Sequence, residues 1–276
     1  MSNDRFSRQS FLGRNSQEII ERTVVGVPGL GGGGSHIVQQ LAHIGFLHYR
    51  IYDSDVAEYS NLNRLIGAKE SDPAHKTPKI EIAERTIKGL QPKAQVQSYP
   101  FRWQEQPEPL RGCDLIFGCV DGFSERRELE ALARRYLISL IDIGMDVHSV
   151  EGEPPRMGGQ VILSMPGGLC MFCLEFLNER VLAQEAERYG DAGPRPQVVW
   201  PNGVLASTAV GIAVDLLTDW TRSLRDVVYM EYDGNKGTIK PHVRLEYLED
   251  RPCPHYRADQ VGEPVLTEMV FAETEH

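Results

Sequence analysis

The chain has 276 residues, 41% of them hydrophobic and 25% charged; this ordinary globular composition has room for one large domain or two small ones and excludes collagen, coiled coil and wholesale disorder. Asp and Glu outnumber Lys and Arg by 39 to 29, a formal charge of −10, and without a basic block a nucleic-acid binder that works by neutralising phosphates is excluded. No apolar run approaches the ~20 residues of a membrane span and the opening MSNDRFSRQSFLG has no apolar signal core, so no membrane partner is expected and the expected location is the cytoplasm.

Thr23–Val27 (TVVGV) is a β-branched run ending in glycines and predicts a buried strand. The turn Gly29-Leu30-Gly31-Gly32-Gly33-Gly34 follows. Over Ser35–Gly45, Ile37, Leu41 and Ile44 recur at helical spacing and make one apolar face. Leu47–Tyr52 predicts a second strand, ending at Asp53. A β–turn–α–β unit with a glycine-rich first turn opens a doubly wound α/β sheet. Lys79–Leu90 predicts a helix with Ile80, Ala83, Ile87 and Leu90 on one side, and Gln95–Tyr99 a strand. Pro107 and Pro109 mark a loop, and the apolar strand Asp114–Val120 runs into Asp121. Glu125–Tyr136 predicts a heavily charged helix and Leu137–Ile143 a further strand. This alternation predicts a Rossmann-like, mostly parallel sheet with helices on both faces.

Past about residue 150 the character changes. Gly158–Leu163 and Val227–Tyr232 predict strands of an appended antiparallel part. Between them Arg180–Val199, polar and holding Gly190, Gly193, Pro194 and Pro196, predicts a flexible loop. Gly203–Trp220 predicts an apolar helix, and Asp259–His276 an acidic, loose tail. The five cysteines, Cys113, Cys119, Cys170, Cys173 and Cys253, are an odd set in a long chain, which points to metal or catalytic roles rather than a disulfide framework.

The glycine turn lets backbone approach a phosphate, and the helix after it offers free N–H groups and a positive dipole end. In Gly26-Val27-Pro28-Gly29-Leu30-Gly31, Pro28 replaces the middle glycine of the dinucleotide fingerprint. It has no N–H, so a phosphate cradle relies on Gly29, Gly31 and the groups after them. An acid ending the second strand, here Asp53 with Asp55 two residues on, suits a ribose hydroxyl. Ser60-Asn61-Leu62-Asn63-Arg64, Lys79 and Asp121 then add cations and a carboxylate at strand ends. Arg and Lys offset polyphosphate charge, and a strand-end carboxylate can hold Mg²⁺. Cys170-x-x-Cys173 has the spacing of half a structural zinc site.

Several segments together resemble the ThiF/MoeB/HesA superfamily, relatives of ubiquitin-activating enzymes. They are RFSRQ (Arg5–Gln9), VGVPGLG (Val25–Gly31), YDSDVAEYSNLNR (Tyr52–Arg64), KTPKIEIA (Lys76–Ala83), CVDGFSERREL (Cys119–Leu129) and CMFC (Cys170–Cys173). The resemblance implies a homodimer that binds ATP·Mg and adenylates the C-terminal carboxylate of a small β-grasp, ubiquitin-like or sulfur-carrier protein, releasing pyrophosphate. It implies an ATP-binding region over 1–150, a carrier-binding and zinc-bearing part of the same domain over 151–258, and the tail beyond. By matched position, Gly29 and Gly31 line the phosphate turn and Asp53 binds ribose, with Asp55 beside it. Asn61, Arg64 and Lys79 hold phosphates, Asp121 positions Mg²⁺, and Arg8 reaches the partner subunit's ATP. The resemblance also implies a four-sulfur zinc site, but the second half here reads Arg251-Pro252-Cys253-Pro254-His255-Tyr256. Tyr256 stands where the fourth cysteine would; His255 would complete a Cys₃His set, and His242 is a further candidate. Many relatives carry a nucleophilic cysteine where this chain has Gln197-Val198-Val199-Trp200-Pro201-Asn202-Gly203, so chemistry through a cysteine of that loop is not expected. Two alternatives remain: a non-catalytic partner of such an enzyme, and an NAD-dependent oxidoreductase, which would share the glycine turn and Asp53 but not need Arg8, Asn61, Arg64, Lys79 and Asp121 together.

Overall fold

The computed structural model describes residues 4–149, 152–187, 196–218, 220–221, 228–248, 252–257 and 260–262. An opening 3₁₀ run, Asp4–Leu12, leads into α1 (Ser16–Arg22), β1 (Val24–Pro28), α2 (Gly32–Ile44) and β2 (His48–Tyr52). Then come α3 (Ser71–Ala74), α4 (Lys79–Leu90), β3 (Gln95–Tyr99), β4 (Leu115–Gly118), α5 (Phe123–Arg135) and β5 (Ser139–His148). The chain continues through β6 (Arg156–Ser164), α6 (Glu179–Glu187), α7 (Val199–Leu217), β7 (Val228–Asp233) and β8 (Thr238–Pro241).

The eight strands form one sheet in the order β3-β2-β1-β4-β5-β6-β7-β8. The first five run parallel, and β6, β7 and β8 add antiparallel. The α/β class, with an antiparallel continuation, is as the strand and helix alternation predicts. Side-chain alternation sorts the strands' residues to two faces. Phe117, Ile141 and Leu163 pack with Ile37, Leu41, Ile87 and Ala206 of α2, α4 and α7. Ile116, Leu140 and Ile162 pack with Leu129 and Ala133 of α5 on the other face.

Two expectations need correction. Arg180–Val199 is not wholly loop: its first part lies in helix α6, because leucine, alanine and glutamate over 182–187 favour helix despite their polarity; the glycine and proline positions 190, 193 and 194 lie outside the described residues. α7, at 19 residues with mean hydropathy 1.2, is long and apolar enough to cross a membrane by length and composition, contrary to the expectation that no run approaches a span. In the fold it is a core helix, with Leu205, Ala206, Ala209, Val210, Ala213 and Val214 buried. Of the acidic tail, only positions 260–262 are described.

Local ionic chemistry also holds the loop between β2 and α4. Arg85 clamps the Asp72 carboxylate at 2.7 and 3.1 Å and reaches Gly67 O at 2.9 Å. Asp72 is 4% exposed, and the Arg85 hydrogen bond holds its carboxyl at about 2, down from 3.8. A depressed acid stabilises the fold at pH values above its unfolded value, and that stability is lost as pH falls through the folded one. With Arg85 partly exposed, Asp72→Asn is expected to cost about 1–2 kcal/mol at neutral pH. In urea melts the gap between wild type and variant should close between about pH 4 and pH 2; a gap that ignores pH would show that ionisation is not its source.

A candidate nucleotide site at the switch point of the sheet

Strand order reverses on either side of β1, and in open α/β sheets ligands bind beyond the carboxyl ends of the strands at such a point. A cleft of about 370 Å³ lies there. It is lined by Gly29 and Gly31, by Asp53 and Asp55, by Arg64, Lys79 and Asp121, and by Arg126, Gln197 and Asn202 among others. Seven of the nucleotide-site positions predicted from sequence therefore meet on one surface, although they come from three connections and the start of a helix.

The glycine turn is shaped by close backbone contact. Gly29 has φ +87°, and a Cβ there would lie 2.3 Å from Cys119 O. At Gly34 a Cβ would lie 1.9 Å from Gly29 O. Any side chain at either position would push β1, β4 and α2 apart. The reward is that first-turn amides of α2, which have no partner within the helix, face the cleft.

Asp53 supports that turn. Its Oδ2 accepts from Leu30 N at 2.7 Å and its Oδ1 from Asp55 N at 2.9 Å. Burial raises its pKa, and nearby Lys79 works against that shift. Lys79, itself 13% exposed, donates to Asp55 Oδ2 at 2.7 Å. Arg64 Nη1 donates to Ser60 O at 2.6 Å and to Asn63 Oδ1 at 3.1 Å. The cations of the cleft are thus held by their own loops and by an exposed acid.

Two predicted positions stand apart. Asn61 is 7% exposed and does not line the cleft. Its Oδ1 accepts from Glu58 N at 3.1 Å, and its carbonyl accepts from Arg64 N and Leu65 N, so it builds the turn that presents Arg64. Arg8 is exposed on the opening 3₁₀ run and does not line this chain's cleft.

Two residues at this end were not anticipated. Arg126 is buried in the floor; it pairs with the Asp142 carboxylate, and donates to Ile143 O at 3.1 Å and Val120 O at 2.6 Å. Burial pushes Asp142 up to about 6, with Arg126 pulling the other way. Arg126 therefore fixes the backbone next to Asp121 from beneath. From the outside, Glu185 of α6 accepts from Phe123 N at 2.8 Å and Ser124 N at 2.7 Å, capping the start of α5 two residues past Asp121. Of the thiols nearby, burial raises Cys113 to about 12 and raises Cys119 as well, which leaves both protonated and poorly nucleophilic. All five cysteines are free.

A second cluster lies further along α5, beyond Glu130. Cys170, Cys173, Cys253 and His255 place one ligand atom each within 4.8 Å of one another. The sulfur of Cys173 is 3.6 Å from those of Cys170 and Cys253, and His255 Nδ1 is 3.4, 3.4 and 4.0 Å from the sulfurs of Cys170, Cys173 and Cys253. Tetrahedral zinc with ordinary Zn–S and Zn–N bonds has ligand–ligand edges of about 3.5–3.8 Å, so this donor set fits. Tyr256 turns away and donates to Glu130 Oε2 at 3.3 Å. His242 is not a member of the cluster: its ring stacks on Tyr229 at 4.1 Å and its Nδ1 accepts from Arg244 N. Of the candidate fourth donors, His255 is thus the one that stands beside the three cysteines.

A doubly wound sheet with a glycine turn and opposed charges at its switch point defines a Rossmann-like α/β protein. The ThiF family profile matches residues 5–254, and the chain belongs to the ThiF family. It is 31% identical over 176 residues to the SAMP-activating enzyme E1 of Haloferax volcanii, covering 62% of this chain and 61% of that protein. It is 33% identical over 128 residues to the sulfur carrier protein adenylyltransferase of Thermus thermophilus, covering 45% of this chain and 46% of that one. The chain thus spans less than two thirds of the length of these curated relatives. The crystal structure of E. coli MccB with ATP has the same fold, with a TM-score of 0.69 at 17% identity, covering 87% of this chain and 72% of that one.

Proposed function

We propose that this protein uses ATP·Mg to adenylate the C-terminal carboxylate of a small ubiquitin-like or sulfur-carrier protein, releasing pyrophosphate. One observation carries the proposal: Arg64, Lys79 and Asp121 line the same cleft as Gly29 and Gly31. Attack of a carboxylate on the α-phosphorus brings two anions together, and cations must offset that repulsion. Arg64 and Lys79 supply them, and Lys79 can exchange its exposed partner Asp55 for phosphate. No general base is needed, because a carboxylate is ionised at neutral pH; this suits a cleft whose chemistry is Arg, Lys and Asp. Asp121 would hold Mg²⁺, which supplies charge neutralisation at the phosphates when bound. Asp53 would orient ribose with the lone pairs its backbone bonds leave over. Zinc would be held by Cys170, Cys173, Cys253 and His255 as a structural ion. The chain has no cysteine over 197–203, so the adenylate would pass to an acceptor other than a thiol of that loop.

Arg8 would act in a homodimer, reaching the partner's cleft. Arg8→Ala and Asp121→Ala chains are each expected to be inactive in ATP–pyrophosphate exchange with a carrier protein. Mixed and allowed to exchange subunits, they should recover about a quarter of wild-type activity, because each heterodimer regains one complete site. Absence of recovery despite measured subunit exchange would remove Arg8 from the reaction.

A further inference from the structure

Asn63 joins two parts of the cleft wall that are 134 residues apart in sequence. Its Nδ2 donates to Gln197 O at 2.9 Å, and its Oδ1 accepts from Arg64 Nη1 at 3.1 Å. A carboxamide has one donor end and one acceptor end, a carbonyl only accepts, and a guanidinium only donates. One orientation of the amide therefore satisfies both partners, and the flipped one satisfies neither. Gln197 stands two residues before α7, and the next carbonyl, Val198 O, accepts from Asn202 Nδ2 at 3.0 Å. Arg64, Gln197 and Asn202 all line the cleft, whereas Asn63 itself is exposed and outside it.

We propose that Asn63 is a positioning residue that sets the Arg64 guanidinium and the start of α7 in one joint arrangement. Asn63 and Ser60 both hold Nη1, which leaves the Nε–Nη2 edge, the fork suited to two phosphate oxygens, for a ligand. A long arginine that is already restrained loses less rotamer freedom when it meets a phosphate. The same amide fixes Gln197, so the cation and the adjoining wall of the cleft are placed together. The phosphate half of this inference rests on the proposed adenylation; the tether to Gln197 does not.

The test compares wild type with Asn63→Ala, Asn63→Gln and Asn63→Asp. In ATP–pyrophosphate exchange, Asn63→Ala is expected to raise the KM for ATP about tenfold with kcat within about twofold, the loss of one hydrogen bond to a charged group. Damage to the fold would instead lower kcat and leave KM in place. Tryptic cleavage in the 178–198 segment, which carries Arg180 and Arg188 as cleavable sites, should quicken about fivefold as the tether is lost. Asn63→Gln keeps a donor and an acceptor and should return both readouts toward wild type. Asn63→Asp keeps the acceptor for Arg64 but cannot donate to Gln197, so its cleavage should match the alanine variant. An unchanged KM and cleavage rate in Asn63→Ala, or failure of Asn63→Gln to restore either, overturns the inference. If wild type gives no ATP-dependent exchange with any carrier, the adenylation proposal fails; the cleavage comparison then decides the tether alone.

Discussion

Asp121→Ala is expected to lower ATP–pyrophosphate exchange by roughly 10²–10³-fold while the protein stays folded, the range seen when one preorganised electrostatic contact to developing charge is removed. Asp121 stands three residues past the end of β4 and lines the cleft with Arg64 and Lys79. The loop that carries it is also held by other groups. Arg126 holds Val120 O from below, and Glu185 caps Phe123 N and Ser124 N from the outer side. Removing the carboxylate should therefore leave the loop standing, so the thermal midpoint should move by no more than about 2 °C. Asp121→Asn keeps shape and hydrogen bonding but loses the charge, and should be nearly as inactive as alanine. Exchange at wild-type rate in Asp121→Ala would dismiss the carboxylate from the reaction. A collapse of the melting temperature would reassign it to holding the fold.

Most of the cleft was legible in the sequence because its residues sit where chain topology forces them. β1 runs into the glycine turn, β2 into Asp53 and β4, three residues on, into Asp121; parallel strands bring all three ends to one edge. α4 begins at Lys79 as its apolar spacing predicts. Less legible were residues whose role depends on which way a helix turns its charge. The buried residues of α5 are Arg126, Leu129, Glu130, Ala133 and Arg134, at helical spacings of three and four. Helical periodicity was present, but three of the five positions are charged, so hydrophobicity alone presents α5 as a solvated helix. Their burial is possible because each finds partners: Arg126 in Asp142, and Arg134 in Ser164 Oγ, Gly168 O and Leu169 O. Asn61 shows the opposite case. Its motif suggests a ligand contact, and its Oδ1 has a second task that the motif does not announce, accepting from the backbone of its own turn.

Glu130 links the two halves of the molecule and gives the metal cluster its setting. The carboxylate is wholly buried; it accepts from Ser164 Oγ at 2.5 Å and Met171 N at 2.9 Å, and from the Tyr256 hydroxyl. It thus ties α5 to β6, to the loop bearing Cys170 and Cys173, and to the segment bearing Cys253 and His255. That last segment, 252–257, has no strand or helix of its own, so a metal would be its chief anchor. The purified protein is expected to contain about one zinc per chain. Stripping it with a chelator should lower the thermal midpoint by on the order of 10 °C, because binding free energy at a structural site is folding free energy. His255→Ala should weaken zinc affinity by about 10²-fold or more, leaving three sulfurs and an open position. Tyr256→Phe should keep the zinc, and cost about 1–2 kcal/mol for the lost hydrogen bond to a buried carboxylate. Zinc retained in His255→Ala but lost in Tyr256→Phe would transfer the fourth ligand to the tyrosine. Protein that is free of zinc yet melts at the same temperature as zinc-loaded protein would mean that packing around Glu130, not a metal, holds the segment in place.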